Sequence, residues 1–193
     1  VGFDREPIPL AIEIAESHTN IYAAVGWHPV DAVDMESSDL NWLEELAAHP
    51  KVVAIGEMGL DYYWDKSPAD IQKEVFRKEE HAEEVGGIMH CYNGPVDLAK
   101  ECIDMHFYIS LGGPVTFKNA KDPKKVAEAV EMKDLLVETD CPFLAPHPNR
   151  GTRNEPAYVK LVAEKIAEIK ELSLEEVAQQ TTKNAFNLFR ISK

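Results

Sequence analysis

An α/β fold with a parallel sheet is predicted by the alternation of short apolar segments with amphipathic helical segments along the chain. Such alternation is typical of βαβ units. The predicted strands are uniformly apolar, as expected of strands that are covered on both faces. A (β/α)8 barrel and an open doubly wound sheet both fit this pattern. No glycine-rich phosphate-binding motif follows any strand, which argues against a dinucleotide site or a P-loop.

The apolar segments define five strands, and the first three residues are interpreted as the end of a further strand. The strands are predicted at residues 22–26, 52–56, 88–91, 108–111 and 135–138. Apolar residues at helical spacing predict helices at residues 8–17, 39–48, 71–85, 96–105, 123–131, 155–169 and 174–190. A capping box of Ser173 and Glu176 is expected to begin the last helix.

Composition narrows the possible classes of function. The 193 residues carry a formal net charge of −14, which argues against a protein that holds nucleic acid on a broad basic surface. An enzyme that contacts phosphate through metal ions and a few arginines remains compatible with this charge. The three cysteines are too few and too widely spaced for a disulfide framework, and Cys102 is expected to be a buried apolar residue.

The sequence also bears on location and partners. No apolar segment approaches the roughly 18 residues that a membrane helix needs, and no signal peptide is recognised. We therefore expect a cytoplasmic protein with no membrane partner. No feature of the sequence indicates an obligatory protein partner.

Polar side chains follow several predicted strands at the point where each strand ends. Glu57 and Asp61 follow one strand, His90 lies at the end of another, and Asp140 follows the last. In a barrel, the carboxyl ends of the strands form one rim, so these side chains are expected to converge there. Histidine and carboxylates are the ligands of hydrolytic divalent-metal sites, which predicts Glu57, His90 and Asp140 as metal ligands. An ordinary strand-end acid or a structural histidine is the alternative at each position.

Glu138 and Asp140 lie two residues apart and would point to the same face of a strand. At the strand end, Asp140 can bind a metal and accept a proton from the attacking water. Glu138 lies one layer deeper and is expected to orient a neighbouring ligand. Acid pairs at strand ends are also common without such a role. We predict Asp140 and Glu57 as the catalytic residues.

Substrate binding is predicted for His28, Asp61, Arg150 and Arg153. His28 ends the segment after the first strand, where it is equally suited to capping the turn that follows. The two arginines flank a glycine in a polar loop ahead of a predicted helix N-terminus, an arrangement that suits phosphate oxygens. A solvated loop whose arginines pair with the surplus acids is the alternative.

These segments resemble the TatD family of metal-dependent deoxyribonucleases, within the amidohydrolase-like barrels. The matching segments are residues 26–29, 56–61, 90–94, 138–142, 150–156 and 184–189. The resemblance implies a (β/α)8 TIM barrel that holds two or three divalent ions (Mg, Mn or Zn) and hydrolyses phosphodiester bonds of DNA, often as an exonuclease. It also implies that Glu57 is shared between metals, that His90 binds the second metal, and that Asp140 binds metal and handles the proton of the water.

Two segments of the family pattern have no counterpart in the sequence. The family begins with a strand that ends in His-x-His, and a middle strand ending in His-x-Arg is expected between residues 71–85 and 88–91. A full barrel usually needs about 250 residues. We therefore expect a single TatD-type domain over residues 1–193, incomplete at its N-terminus and interrupted near residues 85–86. An interruption predicts that the Cα atoms of Val85 and Gly86 lie farther apart than the roughly 3.8 Å of bonded residues.

Two alternatives to a deoxyribonuclease stay open from the sequence. The first is hydrolysis of another ester or amide on the same scaffold, because a fold does not determine its substrate. The second is an inactive scaffold, poor in metal, that acts by binding. True loss of the two strands and their histidines would favour the second alternative.

Overall fold

The structure is a computed structural model that describes residues 1–61, 66–79 and 86–191. The chain divides into two compact units, residues 1–81 and residues 82–193, which are described separately. Within the described residues, no helix combines the length and the apolar character needed to cross a bilayer.

The first unit is built on a small parallel sheet. Its elements are α1 (Pro7–Ser17), β1 (Ala23–Val25), α2 (Ser37–Ala47), β2 (Val52–Ile55) and α3 (Ala69–Glu79). Strands β1 and β2 are parallel, with Val25 opposite Ile55. The predicted strand end at the N-terminus is confirmed, because Gly2 forms a parallel bridge with Val25 and its N–H donates to the carbonyl of Ala24 at 2.9 Å.

The start of α2 differs from the prediction for a physical reason. The helix begins at Ser37 and not at Asp39, because Asp39 occupies the third position of a capping box with Glu36. The buried carboxylate of Asp39 also accepts hydrogen bonds from Nε and Nη2 of Arg5 at 3.0 and 2.6 Å. This bidentate pair ties the N-terminal segment to α2, whose Leu43 packs with Ile8 in the core of the unit.

The second unit contains a three-stranded parallel sheet. Its elements are β3 (Gly87–Met89), α4 (Val96–Asp104), β4 (Phe107–Leu111), α5 (Asp122–Ala129), β5 (Leu135–Val137), α6 (Val159–Lys170) and α7 (Leu174–Leu188). The strand order is β3-β4-β5, and helices α4 and α5 connect consecutive strands. The parallel arrangement places the carboxyl ends of all three strands at one edge of this sheet.

The core of the second unit is centred on β4. Ile109 and Leu111 have 0% and 1% of their surface exposed and pack with Leu135, Val162 and Ile166. Burial of each such side chain contributes about 1.5–3 kcal/mol. Coverage on both faces is thus confirmed for β4. It is wrong for β2, whose residues are half-buried or exposed, with Ile55 at 43% exposure.

The predicted α/β alternation is confirmed, with differences at element boundaries. The helix predicted at residues 155–169 begins only at Val159, after a 3₁₀ turn at Pro156–Tyr158. The delay arises because the backbone of Glu155 is extended and Asn154 N donates to the carbonyl of Pro142 in the preceding loop. The predicted capping box is confirmed: Glu176 N donates to Ser173 Oγ, and Ser173 N donates to Glu176 Oε2. The predicted end of the helix at residues 71–85 and the junction at residues 85–86 lie outside the described residues.

Candidate functional site

His90 follows β3 and lies between two carboxylates that follow β5. Its Nδ1 lies 2.8 Å from Oε2 of Glu138, and its Nε2 lies 3.5 Å from Oδ1 of Asp140. The prediction that the two acids point to one face of a strand is wrong, because β5 ends at Val137 and Asp140 adopts a left-handed backbone with φ of 56°. The turn places the two acids on opposite edges of a single imidazole ring.

Gly112, at the end of β4, makes room for the contact between His90 and Glu138. Strand β4 lies between β3 and β5, so the side chain of Glu138 must pass the end of β4 to reach His90. A Cβ atom at Gly112 would lie 3.4 Å from Cγ and from Oε1 of Glu138. Only a very small side chain therefore fits here.

The second carboxylate oxygen of Glu138 is buried. Among the described residues, Oε1 of Glu138 has no hydrogen-bond partner. Burying a polar atom in this way disfavours folding by about 1–3 kcal/mol. A buried carboxylate that is only half satisfied is more often retained for a functional reason than for stability.

The contacts of His90 determine what it can bind. When Nδ1–H donates to Glu138, the neutral ring carries its lone pair on Nε2, opposite the carboxylate of Asp140. An acceptor nitrogen opposite a carboxylate oxygen requires a proton or a cation between them. Two ligands that each lie about 2.0–2.2 Å from a metal are separated from one another by roughly 3–3.5 Å. The observed 3.5 Å therefore fits a shared divalent cation.

A complete coordination sphere is not formed by the described residues. Within residues 1–61, 66–79 and 86–191, no group of three or more His, Cys, Asp or Glu side chains surrounds one point. His90 and Asp140 thus fit a cation in donor type and spacing as a pair. A carboxylate that orients a ligating histidine, as Glu138 is placed to do, is a recurrent partner in such sites.

In the first unit, His28 faces Glu57. Nε2 of His28 lies 3.7 Å from Oε1 of Glu57, and Nδ1 accepts the N–H of Val30 at 3.2 Å. The predicted alternative of a capping role is confirmed by this second bond. It also leaves Nε2 as the protonated nitrogen of the neutral ring, directed at Glu57.

The strand ends that carry His28 and Glu57 are in close backbone contact. A Cβ atom at Gly26 would lie 2.6 Å from the carbonyl carbon of Gly56, and Gly56 has φ of 150°. Glycine is thus required at both positions. Gly26 allows the two backbones to approach closely, and Gly56 adopts a positive φ that other residues rarely adopt.

Asp61 is held through its backbone by Gln72, which sequence reasoning missed. Asp61 N donates to Oε1 of Gln72, and Nε2 of Gln72 donates to the carbonyl of Asp61, both at 2.8 Å. Gln72 is only 1% exposed. A polar residue on the buried side of a helix gives no local signal, because its partner lies 11 residues away.

The two arginines are exposed in the loop between β5 and α6. The guanidinium carbon of Arg150 lies 4.4 Å from the centre of the Phe117 ring. In the part of the chain that the structure describes, neither Arg150 nor Arg153 forms an ion pair, so pairing with the surplus acids is not seen there. The helical segment behind them begins with the 3₁₀ turn at Pro156–Tyr158, and the α-helix α6 follows from Val159.

Asn154 stabilises the loop that carries Asp140 through hydrogen bonds. Sequence reasoning did not identify this residue. Its Nδ2 donates to the carbonyls of Thr139 and Phe143, both at 2.6 Å, and its backbone N–H donates to Pro142 at 3.0 Å. Asn154 is 2% exposed. The side chain of Asn154 therefore fixes both sides of the turn at Asp140.

Backbone strain is concentrated at the same edge of the sheet. Six described residues other than glycine have positive φ, and three of them follow helices, where such a conformation is common. The other three follow β3 and β5: Cys91, Asp140 and Leu144. Strained residues of this kind cluster at functional sites, where the surrounding structure must hold them.

The sequence of the chain is similar to that of a known protein family. The family model described as "TatD related DNase" matches residues 1–79 and 77–190. The chain belongs to the TatD family. The two matched segments meet at residues 77–79, some residues before the junction that the spacing of the sequence suggests.

TatD relatives match nearly the whole chain. The uncharacterized metal-dependent hydrolase YabD of Bacillus subtilis is 58% identical, over 100% of this chain and 86% of its own length. The uncharacterized metal-dependent hydrolase YcfH of Escherichia coli K12 is 36% identical, over 93% of this chain and 77% of its own. The YabD alignment spans 220 residues, more than the 193 of this chain, so YabD contains residues with no counterpart here.

Solved structures identify the fold of this TatD chain. YJJV, a TatD homologue from Escherichia coli, superposes with a TM-score of 0.90 at 22% identity, over 99% of this chain and 85% of its own. A TatD family hydrolase from Entamoeba histolytica gives 0.82 at 20% identity, over 97% and 82%. The fold is thus the TIM-barrel-like α/β fold of TatD proteins.

Proposed function

We propose that this protein is a metal-dependent hydrolase that cleaves phosphodiester bonds of DNA, acting as an exonuclease. The description of the matching family and the names of the relatives support this class of reaction. The observation that carries the proposal is His90 between Glu138 and Asp140, with Nε2 and a carboxylate oxygen 3.5 Å apart. An imidazole held by one acid and facing another is suited to ligating a divalent cation.

Glu57, His90 and Asp140 are the proposed ligands of two or three divalent ions (Mg, Mn or Zn). When bound, such cations polarise the phosphoryl group and lower the pKa of the attacking water. Glu138 keeps the proton of His90 on Nδ1, so that Nε2 acts as the ligand atom. Asp140 accepts the proton of the attacking water at its carboxylate.

The remaining predicted residues are proposed to position the substrate. Nε2–H of His28 is oriented by the bond that Nδ1 accepts, and it can donate to a phosphate oxygen. Arg150 and Arg153 are exposed, and the stacking of Arg150 on Phe117 limits its freedom. Arginines suit phosphate oxygens better than neutral ester or amide groups, which favours DNA over the alternative hydrolytic substrates.

The complete protein is proposed to close a (β/α)8 barrel in a single cytoplasmic domain. A further strand between the two matched segments would account for the residues of YabD that have no counterpart in this chain. Mass spectrometry of the intact natural protein measures this directly. A mass that exceeds that of the present sequence by an internal segment is expected, and a mass that equals it contradicts the proposal.

The function is tested by assaying the protein with Mn²⁺ on end-labelled single-stranded DNA, beside a carboxylic ester and an amide. Cleavage of DNA from one end is expected, and Asp140→Asn should lower its rate by roughly 10²–10⁴-fold while circular dichroism shows an unchanged fold. Cleavage of only the ester or amide would replace DNA as the substrate. Failure to bind Mn²⁺ in a calorimetric titration would favour the inactive scaffold.

A further inference from the structure

Phe143 is the most exposed large apolar side chain among the described residues, at 69%. Its neighbour Leu144 is 41% exposed, whereas the next residue, Ala145, is 4% exposed. These two apolar side chains lie in the loop after β5, three and four residues beyond Asp140. Contiguous exposed apolar side chains mark interaction sites, and this pair follows the proposed catalytic residue Asp140.

The backbone under these side chains is fixed on several sides. Phe143 N donates to the carbonyl of Asp140 at 2.9 Å, and the carbonyl of Phe143 accepts from Nδ2 of Asn154 at 2.6 Å. The carbonyl of Leu144 lies so close to Gly113 that a Cβ atom there would collide with it. These contacts fix the backbone at Phe143 and Leu144, so the loop holds the point from which the exposed ring projects.

Leu144 adds evidence that this placement is maintained under strain. It has φ of 51°, a conformation that a branched side chain rarely adopts. Such strain costs about 1–3 kcal/mol and persists where the surrounding contacts impose it. The loop thus keeps an unfavourable backbone while it exposes apolar surface to solvent, and both features disfavour stability.

The surroundings indicate which ligand this surface fits. Phe143 and Asp140 close a hydrogen-bonded turn, which keeps their Cα atoms within about 7 Å. The same loop exposes Arg150 and Arg153, in a chain whose net charge is −14. An exposed ring combined with guanidinium groups matches a ligand that joins flat apolar faces to phosphates, which is single-stranded nucleic acid.

We propose that Phe143, with Leu144 beside it, is a stacking platform for an unpaired nucleobase next to the phosphodiester that is cleaved. The inference rests on the proposed function and adds a base-binding subsite to it. Stacking on an aromatic ring tolerates every base, so the platform favours single strands over duplexes without selecting a sequence.

The experiment measures binding of a fluorescein-labelled, phosphorothioate-linked single-stranded oligonucleotide in Mn²⁺ by fluorescence anisotropy. Phe143→Ala should weaken binding roughly tenfold, and Phe143→Trp should retain it. An oligonucleotide whose end residues are abasic should bind the natural protein and Phe143→Ala equally. The matched control is Met105→Ala, which shortens another exposed apolar side chain, at 50% exposure, beside the amino end of β4, and it should leave the affinity unchanged.

The outcomes separate this inference from the function on which it rests. Equal affinity of Phe143→Ala and the natural protein for the intact oligonucleotide overturns the platform and leaves the nuclease proposal in place. A loss that is just as large with the abasic oligonucleotide also overturns it, because the ring would not act through the base. Absence of any oligonucleotide binding by the natural protein overturns both proposals. A calorimetric Mn²⁺ titration of Phe143→Ala that matches the natural protein shows that the loop is intact.

Discussion

Nδ1 of His90 lies 2.8 Å from Oε2 of Glu138, although the two residues are 48 positions apart in the sequence. The bond crosses the end of β4 and joins the ends of the two outer strands of the sheet. When Nδ1–H donates to Glu138, the neutral ring carries its lone pair on Nε2, the nitrogen that faces Asp140. The proposed chemistry depends on this arrangement.

Glu138→Gln should weaken cation binding. The amide keeps the size of the side chain but removes the charge that holds the proton on Nδ1, and losses of partners of this kind typically lower metal affinity 10–100-fold. A calorimetric Mn²⁺ titration measures the effect. Glu131→Gln is the matched control, because Glu131 is an exposed acid before the amino end of β5. An equal effect of the two substitutions would remove Glu138 from this role.

The size of the side chain at position 112 should have a graded effect on the contact between Glu138 and His90. Gly112→Ala places its Cβ in ordinary contact with Glu138, at 3.4 Å, and should lower Mn²⁺ affinity little. Gly112→Leu adds atoms where the Glu138 side chain lies, so it should lower Mn²⁺ affinity at least as much as Glu138→Gln. An unchanged affinity of Gly112→Leu would show that Glu138 does not need this space.

The sequence predicts part of this arrangement and leaves out another part. Apolar segments located all five described strands, and their polar ends located His90 and Asp140. The left-handed turn at Asp140, which brings two acids to one histidine, depends on contacts with Asn154 that no local pattern reveals. Long-range partners of buried polar side chains follow from the folded chain and not from spacing.

Asn154 and Asn184 offer a matched pair of substitutions. Each side chain is 2% exposed, and each donates from Nδ2 to two backbone carbonyls. Asn184 donates to Met132, which precedes β5, and to Leu135, the first residue of β5. Asn154 donates to two carbonyls that follow the end of β5. Alanine at either position should lower the free energy of unfolding by about 1–3 kcal/mol, measured by urea denaturation.

Only Asn154→Ala should also impair function, because the carbonyls that Asn154 binds follow the carboxyl end of β5, as Asp140 does. We expect its Mn²⁺ affinity to fall, while that of Asn184→Ala stays unchanged under conditions where both variants are folded. A similar loss of Mn²⁺ affinity in both variants would reduce Asn154 to a stabilising residue.

The capping box of α7 should give a pH-dependent contribution to stability. Hydrogen bonds from the Ser173 hydroxyl and backbone N–H lower the pKa of Glu176 below its ordinary value of 4.5. Because the folded pKa is depressed, the stabilisation is fully present above the ordinary value and is lost as pH falls through the lowered one.

Thermal denaturation of the natural protein and Glu176→Gln at several pH values tests this sign. The difference in Tm should be largest near neutral pH and shrink once pH falls below 4.5. Lys160→Gln, an exposed charge change on the neighbouring helix α6, serves as the control. If the Tm difference between the natural protein and Glu176→Gln stays constant as the pH falls below 4.5, the hydrogen bonds from Ser173 are not the cause of the lowered pKa.

The proposed function depends above all on ligation of a divalent cation by Nε2 of His90. Electron spin echo modulation of Mn²⁺ bound to the protein detects nitrogen nuclei of ligating imidazoles. Nitrogen modulation should decrease in His90→Gln and stay unchanged in His106→Gln, where the substituted histidine lies before the amino end of β4. Modulation that is the same in His90→Gln as in the natural protein would contradict it.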